Sequence, residues 1–258
     1  MIDIHSHILH GLDDGAKDIS VSVDMAKQAV AEGITSIIAT PHHRHPSYTN
    51  DKTNVLIGVQ QLQAELQRQY IPLNVYAGQE IRLFGEMVDV LNQNEELLTL
   101  NNSEYVLVEF PSSNIPKYTE QLFYDLLVKG YTPIIAHPER NAEIAENTDK
   151  LYRLIKNGAL SQVTAASVAG MFGKKTRKLS LDLLEYQQAH FVASDAHNIT
   201  NRAFVWKQAM DKLDKKLGSD LVTLVNMQAQ DVLQGRSMKK LPPERITQSR
   251  LSKIFTRS

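Results

Sequence analysis

Apolar residues along this chain recur in two rhythms that take turns. Ile2 and Ile4 alternate with polar neighbours, which predicts a short strand beginning almost at Met1. From Asp18 to Glu32 the period changes: Val23, Ala26 and Val30 fall on one stripe, which predicts a helix that Gly33 stops. The same exchange continues down the chain. Strands are predicted over 34–40, 73–78, 105–109, 132–136, 159–164 and 190–194, and helices over 51–69, 84–94, 118–129, 149–157, 174–188 and from Arg202 onward. Each gap between strands is long enough for a crossover helix, so the seven strands are predicted to pair in parallel.

Six of the seven strands run into a histidine or a carboxylate. The first delivers His5 and His7, whose i, i+2 spacing puts both rings on one face, and Asp14 follows in the two-glycine segment Gly11-Leu12-Asp13-Asp14-Gly15. Later strands lead to His42, Glu80, Glu109 and His137, and the last to Asp195 and His197; 159–164 shows no obvious ligand. Taken singly, each residue has an ordinary explanation: Glu80 a solvated carboxylate, His42 one of three surface histidines with His43 and His45, Asp195 a helix cap. Their recurrence at C-terminal strand ends has a simpler one, because in a parallel α/β barrel those ends converge on one face. The fold class expected is therefore α/β, a distorted TIM-like barrel of about seven parallel strands.

The nine donors are nitrogen and oxygen, suited to manganese, iron, zinc or magnesium. Nine are too many for one ion and suit a cluster of two or three bridged by a carboxylate such as Glu80. Adjacent divalent ions make hydroxide near neutral pH and clamp a phosphate's oxygens. Arg140 stands three residues past His137 and Arg202 five past His197, placed to pair phosphate oxygens bidentately. Tyr48, Phe110, Tyr118 and Phe172 are candidate pocket walls or packing residues.

Composition narrows the setting. At 258 residues, 42% hydrophobic and 22% charged, the chain suits one globular domain of barrel size or two small ones. The absence of cysteine excludes disulfides, thiolate zinc sites and a cysteine-nucleophile phosphatase. No apolar run or signal-peptide pattern marks a membrane span, so the expected location is cytoplasmic. The net charge of −1 is divided unevenly: residues 236–258 hold seven Lys/Arg against one Glu, leaving an acidic body over 1–235. Basic charge confined to a tail argues against a nucleic-acid partner. The tail itself reads as a flexible, solvated terminus. A sharper reading takes Leu251, Ile254 and Phe255 as the apolar side of a basic patch giving, at most, peripheral contact with anionic lipid or an acidic kinase tail.

The stretches MIDIHSHILHGLDDG (1–15), IIATPHH (37–43), GQEIR (78–82), EFPSSNIPKYTEQLFYDL (109–126), PIIAHPERN (133–141), GALSQVTAASVAG (158–170) and FVASDAHN (191–198) resemble the PHP superfamily. Within it they are most similar to bacterial manganese-dependent protein-tyrosine phosphatases of capsular and exopolysaccharide synthesis. The resemblance spans about residues 1–235. It implies a three-metal site: His5, His7, Glu80 and Asp195 on one ion, Glu80, Glu109 and His137 on the second, Asp14, His42 and His197 on the third. It also makes Arg140 and Arg202 the phosphate-binding pair and, with Asp14 and His42, the catalytic set. The substrate and partner it implies is an autophosphorylated bacterial tyrosine kinase. Ser6 and His10 stand where that family usually has Cys and Pro; neither is a proposed ligand. Two other functions compete, a small-molecule phosphomonoesterase of histidinol-phosphatase type and a non-catalytic phosphotyrosine-binding regulator. A complete ligand set argues against the second, since a binder need not keep a water-activating cluster.

Overall fold

The alternation of strand and helix is present in the computed structural model, which describes residues 1–238 and 240–246. Its strands are β1 (Ile2–Ser6), β2 (Ser36–Ala39), β3 (His42–His43), β4 (Asn74–Ala77), β5 (Glu80–Arg82), β6 (Tyr105–Glu109), β7 (Thr132–Ala136), β8 (Leu160–Thr164) and β9 (Phe191–Ala193). All ladders are parallel, in the orders β1-β2-β4 and β3-β5-β6-β7-β8-β9. The two sheets are one circuit interrupted at Pro41, where β2 passes into β3 and β4 into β5. Gly78 N still donates to Ala39 O at 2.9 Å and Glu80 N to Pro41 O at 3.2 Å, but Pro41 has no N–H to return. Counting each interrupted pair as one strand gives seven positions, as expected. Asp195 N donates to His5 O and His7 N to Ala196 O, both at 2.9 Å, so the far edge returns to β1 beside the two histidines.

The helices are α1 (Ile19–Ala31), α2 (Lys52–Arg68), α3 (Met87–Gln93), α4 (Thr119–Val128), α5 (Ala142–Glu146), α6 (Asp149–Lys156), α7 (Ala165–Ala169), α8 (Gly173–Glu185), α9 (Trp206–Leu217) and α10 (Ser219–Leu233). The short helices α5 and α7 were not expected, because five residues are too few for a 3.6-residue stripe to show. Among the described residues no helix is long and apolar enough to cross a membrane.

Period two divides the strand residues between two cores. Ile4, Ile38, Tyr105, Leu107, Ile134, Ala136, Leu160, Phe191 and Ala193 fill the interior, while Ile37, Val75, Val106, Val108, Ile135, Val163 and Val192 pack outward against the helices. Following the inner set toward the C-terminal ends, Ile38 leads through Thr40 to His42, Leu107 to Glu109, and Ala193 to Asp195. The ligand candidates are thus the top layer of the barrel's own side-chain column. Gly78 keeps that column open below Glu80, since a Cβ there would stand 2.9 Å from Ile38 and 3.0 Å from Leu100.

The opposite end is closed by α10, whose Ala229 and Val232 join the interior core together with Met238. Tyr105 Oη donates to Arg236 O at 2.9 Å and accepts from Met238 N at 3.1 Å. Farther along, Glu244 N donates to Tyr186 O at 2.9 Å, and the Arg245 guanidinium lies 4.7 Å from the Tyr152 ring and pairs with Asp149. Residues 236–238 and 240–246 therefore lie against the barrel. Leu251, Ile254 and Phe255 fall outside the described residues.

Candidate metal centre

Two histidines start the site. His5 Nε2 and His7 Nε2 are 3.2 Å apart, each 3.4 Å from Glu80 Oε2 and 3.3–3.4 Å from Asp195 Oδ1. Such separations are those of donor atoms lying about 2 Å from a common centre. Beside them, His42 reaches two ways: Nδ1 is 2.8 Å from Glu80 Oε2 and 3.9 Å from Glu109 Oε2, and Nε2 is 3.6 Å from Asp14 Oδ1. His137 Nε2 approaches the other Glu80 oxygen at 2.8 Å, and His197 Nε2 lies 3.4 Å from Asp14 Oδ1. All nine predicted residues fall in one connected cluster, with Glu80 beside His5, His7, His42 and His137 and with Asp14 and His197 joined through His7 and His42.

Donor atoms within reach of one another form three overlapping groups. Ligand atoms gather as His5, His7 and Glu80, as His42, Glu80 and Glu109, and as His7, Asp14, His42 and His197. His42 thus shares the Glu80–Glu109 end as well as the Asp14–His197 end, and His7 joins the latter.

Electrostatics explain why such a cluster calls for cations. Burial by itself would raise the Glu80 carboxyl, but the imidazoles of His5 and His42 hold it well below the usual carboxylate range. Burial opposes ionisation of Asp195 too, and His5, His7, His197 and Arg140 outweigh it. Burial disfavours a charged imidazole at His5 and His7, yet Glu80 and Asp195 around the first and Asp13 beside the second push both upward. Glu109 shifts the other way, raised by burial and by Glu80 next to it. His197, buried against His7 with ring centroids 3.7 Å apart, is lowered to about 4 and stays a neutral donor. Four buried atoms, His42 Nδ1, Glu80 Oε2, Glu109 Oε2 and His197 Nε2, have no hydrogen-bond partner. The short His42–Glu80 approach is therefore proximity without hydrogen-bond geometry, as expected of atoms aimed at a shared ion. The residues present fit divalent metal ions.

A second layer fixes the rings, and it is where the sequence reading fell short. Asp13 Oδ2 accepts from His7 Nδ1 at 2.6 Å and from His42 N at 2.9 Å, while Oδ1 accepts from Gly15 N at 2.9 Å. Gln162, on the strand with no obvious ligand, holds His5 Nδ1 at 2.8 Å, and the Asp195 carbonyl holds His197 Nδ1 at 2.9 Å. Each of these three histidines thereby spends Nδ1 on the protein and turns Nε2 to the cluster. Asp3 ties the strands beneath, accepting from Ser194 N at 2.9 Å and Ser194 Oγ at 2.5 Å.

The arginines frame the mouth. Arg140 Nη1 pairs with Asp195 Oδ2, and Arg202 reaches Asp14 Oδ2 at 2.9 Å and Asp195 Oδ2 at 3.5 Å. Both side chains are about one third exposed. Arg82 is a third, unpredicted arginine, 3.4 Å from Glu109 Oε2 and donating to Phe110 O at 2.7 Å. Of the four aromatic candidates, Phe110 stacks with Phe123 in the core and is packing. Tyr48 stacks with His45 and His42, Tyr118 donates to Leu83 O, and Phe172 lies exposed beside Arg140.

A parallel barrel that carries a buried His/Asp/Glu cluster able to hold metal ions at its C-terminal strand ends defines the class of protein. The chain belongs to the family described as capsular polysaccharide synthesis, CpsB/CapC, whose pattern matches residues 1–234. It is 47% identical over 255 residues to the tyrosine-protein phosphatase YwqE of Bacillus subtilis, covering 99% of this chain and 100% of that one. Identity to the tyrosine-protein phosphatase CpsB of Streptococcus pneumoniae is 30% over 224 residues, covering 85% and 92%. A crystal structure from work on YwqE and CpsB as unique metal-dependent tyrosine phosphatases superposes with a TM-score of 0.94 at 47% identity, covering 96% of this chain and all of that one.

Proposed function

We propose that this protein is a metal-dependent protein-tyrosine phosphatase whose substrate is the autophosphorylated tail of a bacterial tyrosine kinase controlling capsular or exopolysaccharide synthesis, working in the cytoplasm. One observation carries the reading: nine ligand-type side chains from six strand positions form one connected cluster, with two arginines at its mouth, in a chain of the CpsB/CapC family. The names of YwqE and CpsB, and the link of the family to capsule synthesis, support the substrate class.

We assign three ions and take manganese, the metal that the resemblance implies, from among the manganese, iron, zinc and magnesium that these nitrogen and oxygen donors suit. His5, His7, Glu80 and Asp195 would hold the first, Glu80, Glu109 and His137 the second, and Asp14, His42 and His197 the third. When bound, such ions supply a hydroxide near neutral pH and polarise phosphate oxygens. The protein does the rest. Arg140 and Arg202, which now converge on Asp195 Oδ2, present planar donors to an entering phosphate monoester and stay charged at any working pH. His42, facing Asp14 on one side and Glu80 on the other, fixes the spacing between ligand groups. Asp13 and Gln162 keep His7 and His5 in the tautomer that leaves Nε2 free.

The test is phosphate release, with manganese present, from a phosphotyrosine peptide and from histidinol phosphate. Turnover of the peptide well above that of histidinol phosphate is expected; the reverse preference would make this a small-molecule phosphomonoesterase.

A further inference from the structure

Beyond the phosphate site, the rim next to Arg140 has a feature that metal chemistry does not use. Between α7 and α8 the chain turns through Gly170 and Gly173, with φ of +97° and +92°, conformations that side chains with a Cβ rarely adopt. The two glycines hold Met171 and Phe172 outward, 50% and 46% exposed although both are large and apolar. The turn is built rather than loose: Met171 N donates to Ala166 O at 2.9 Å and Gly173 N to Gly170 O at 3.1 Å. The Arg140 guanidinium lies 5.5 Å from the centre of the Phe172 ring, and its Nη1 is the group that pairs with Asp195.

We propose that Met171 and Phe172 form the rest for the phenyl ring of the substrate, and so select aryl over alkyl phosphate monoesters; this deepens, and rests on, the assignment of Arg140 to the substrate phosphate. In an aryl ester the ring begins one bond beyond the bridging oxygen, so a ring attached to a phosphate on Arg140 falls alongside a neighbour as near as Phe172. Ring pairs are favourable over centroid separations of about 4.5–7 Å. A phosphoserine carries no ring to cover Phe172 and leaves its exposed face wet. The other rim aromatics are otherwise engaged: Tyr48 stacks 5.6 Å from His45 and 6.1 Å from His42, and Tyr118 gives its hydroxyl to Leu83 O at 3.2 Å.

The experiment uses the metal-loaded full chain, Phe172→Ala and Phe172→Tyr, with phosphotyrosine and phosphoserine peptides of one sequence and inorganic phosphate as inhibitor. The wild type should prefer the phosphotyrosine peptide. Phe172→Ala should raise its KM about tenfold, the ratio corresponding to one lost aromatic contact, with kcat near wild type. Phe172→Tyr should restore it. Inhibition by inorganic phosphate should stay unchanged, because phosphate alone meets only the arginines and metals. An unchanged KM in Phe172→Ala overturns the inference, and so does a parallel weakening of phosphate inhibition, which would make Phe172 a prop for Arg140. A wild type that hydrolyses neither peptide overturns the parent reading and this one with it.

Discussion

Asp13 and Asp14 are neighbours with the same side chain, and they face different partners. Asp14 looks into the cluster toward His42 and His197, while Asp13 turns back to His7 Nδ1 and the His42 backbone. The sequence singles out Asp14 and passes over Asp13, because a carboxylate that supports a ligand from behind carries no pattern of its own; only the folded turn shows it against His7. Asp13→Asn should keep the fold and weaken metal binding about 10–100-fold, the usual cost of losing a histidine's outer carboxylate; a metal titration matching wild type would remove Asp13 from the site. Arg140→Ala and Arg202→Ala should separate the other way, retaining metal and losing roughly 2–4 kcal/mol of transition-state stabilisation, read from kcat/KM. Either variant with wild-type kinetics would be a surface arginine only. His190, at the foot of β9, is 2% exposed, and burial, with Lys240 nearby, lowers its pKa from 6.5 to about 3. Below pH 6.5 the unfolded chain takes a proton that the folded chain refuses, so this contribution to stability is present above 6.5 and lost as pH falls toward 3. Between pH 7 and 5 the wild type should therefore lose roughly 2 kcal/mol more than His190→Asn in denaturant unfolding. Equal losses would show that the imidazole is protonated in place.

Elements were legible where their period had room to repeat. The seven strand positions and the long helices follow from alternation and from stripes of apolar residues, and strand ends gave all nine ligand candidates. What escaped was short or chemically quiet: α5 and α7 span five residues each, and Gln162 is an uncharged amide on a strand that otherwise reads as core. The loop after β1 also hid its tightness. Gly15 packs against β1 so closely that an added Cβ would lie 2.1 Å from His7 O and 2.7 Å from His7 Cβ, with backbone on the near side. Gly15→Ala should therefore push the Asp13–Asp14 turn off His7, lowering both thermal stability and metal content. Thermal unfolding and metal analysis indistinguishable from wild type would show that the turn can shift without cost.

At the scale of the whole molecule, the barrel concentrates at one end a buried cluster of carboxylates and imidazoles able to hold metal ions. Glu80 and Asp195 are ionised against burial, and His5 and His7 are drawn toward protonation in compensation. Metal binding should release those protons and stabilise the fold in proportion to the logarithm of free metal over Kd. His42 stands within reach of both the Glu80–Glu109 end and the Asp14–His197 end, which pattern alone does not carry. The central claim is that the cluster, once metal-loaded, is the hydrolytic engine. It is tested most directly by stripping one preparation of metal with EDTA, restoring part of it with manganese, and measuring bound metal and phosphate release from a phosphotyrosine peptide together, with Glu80→Gln alongside. The account predicts that hydrolysis disappears on stripping, returns in step with bound metal, and stays absent in Glu80→Gln. Full-rate hydrolysis by protein shown to hold no metal would contradict it.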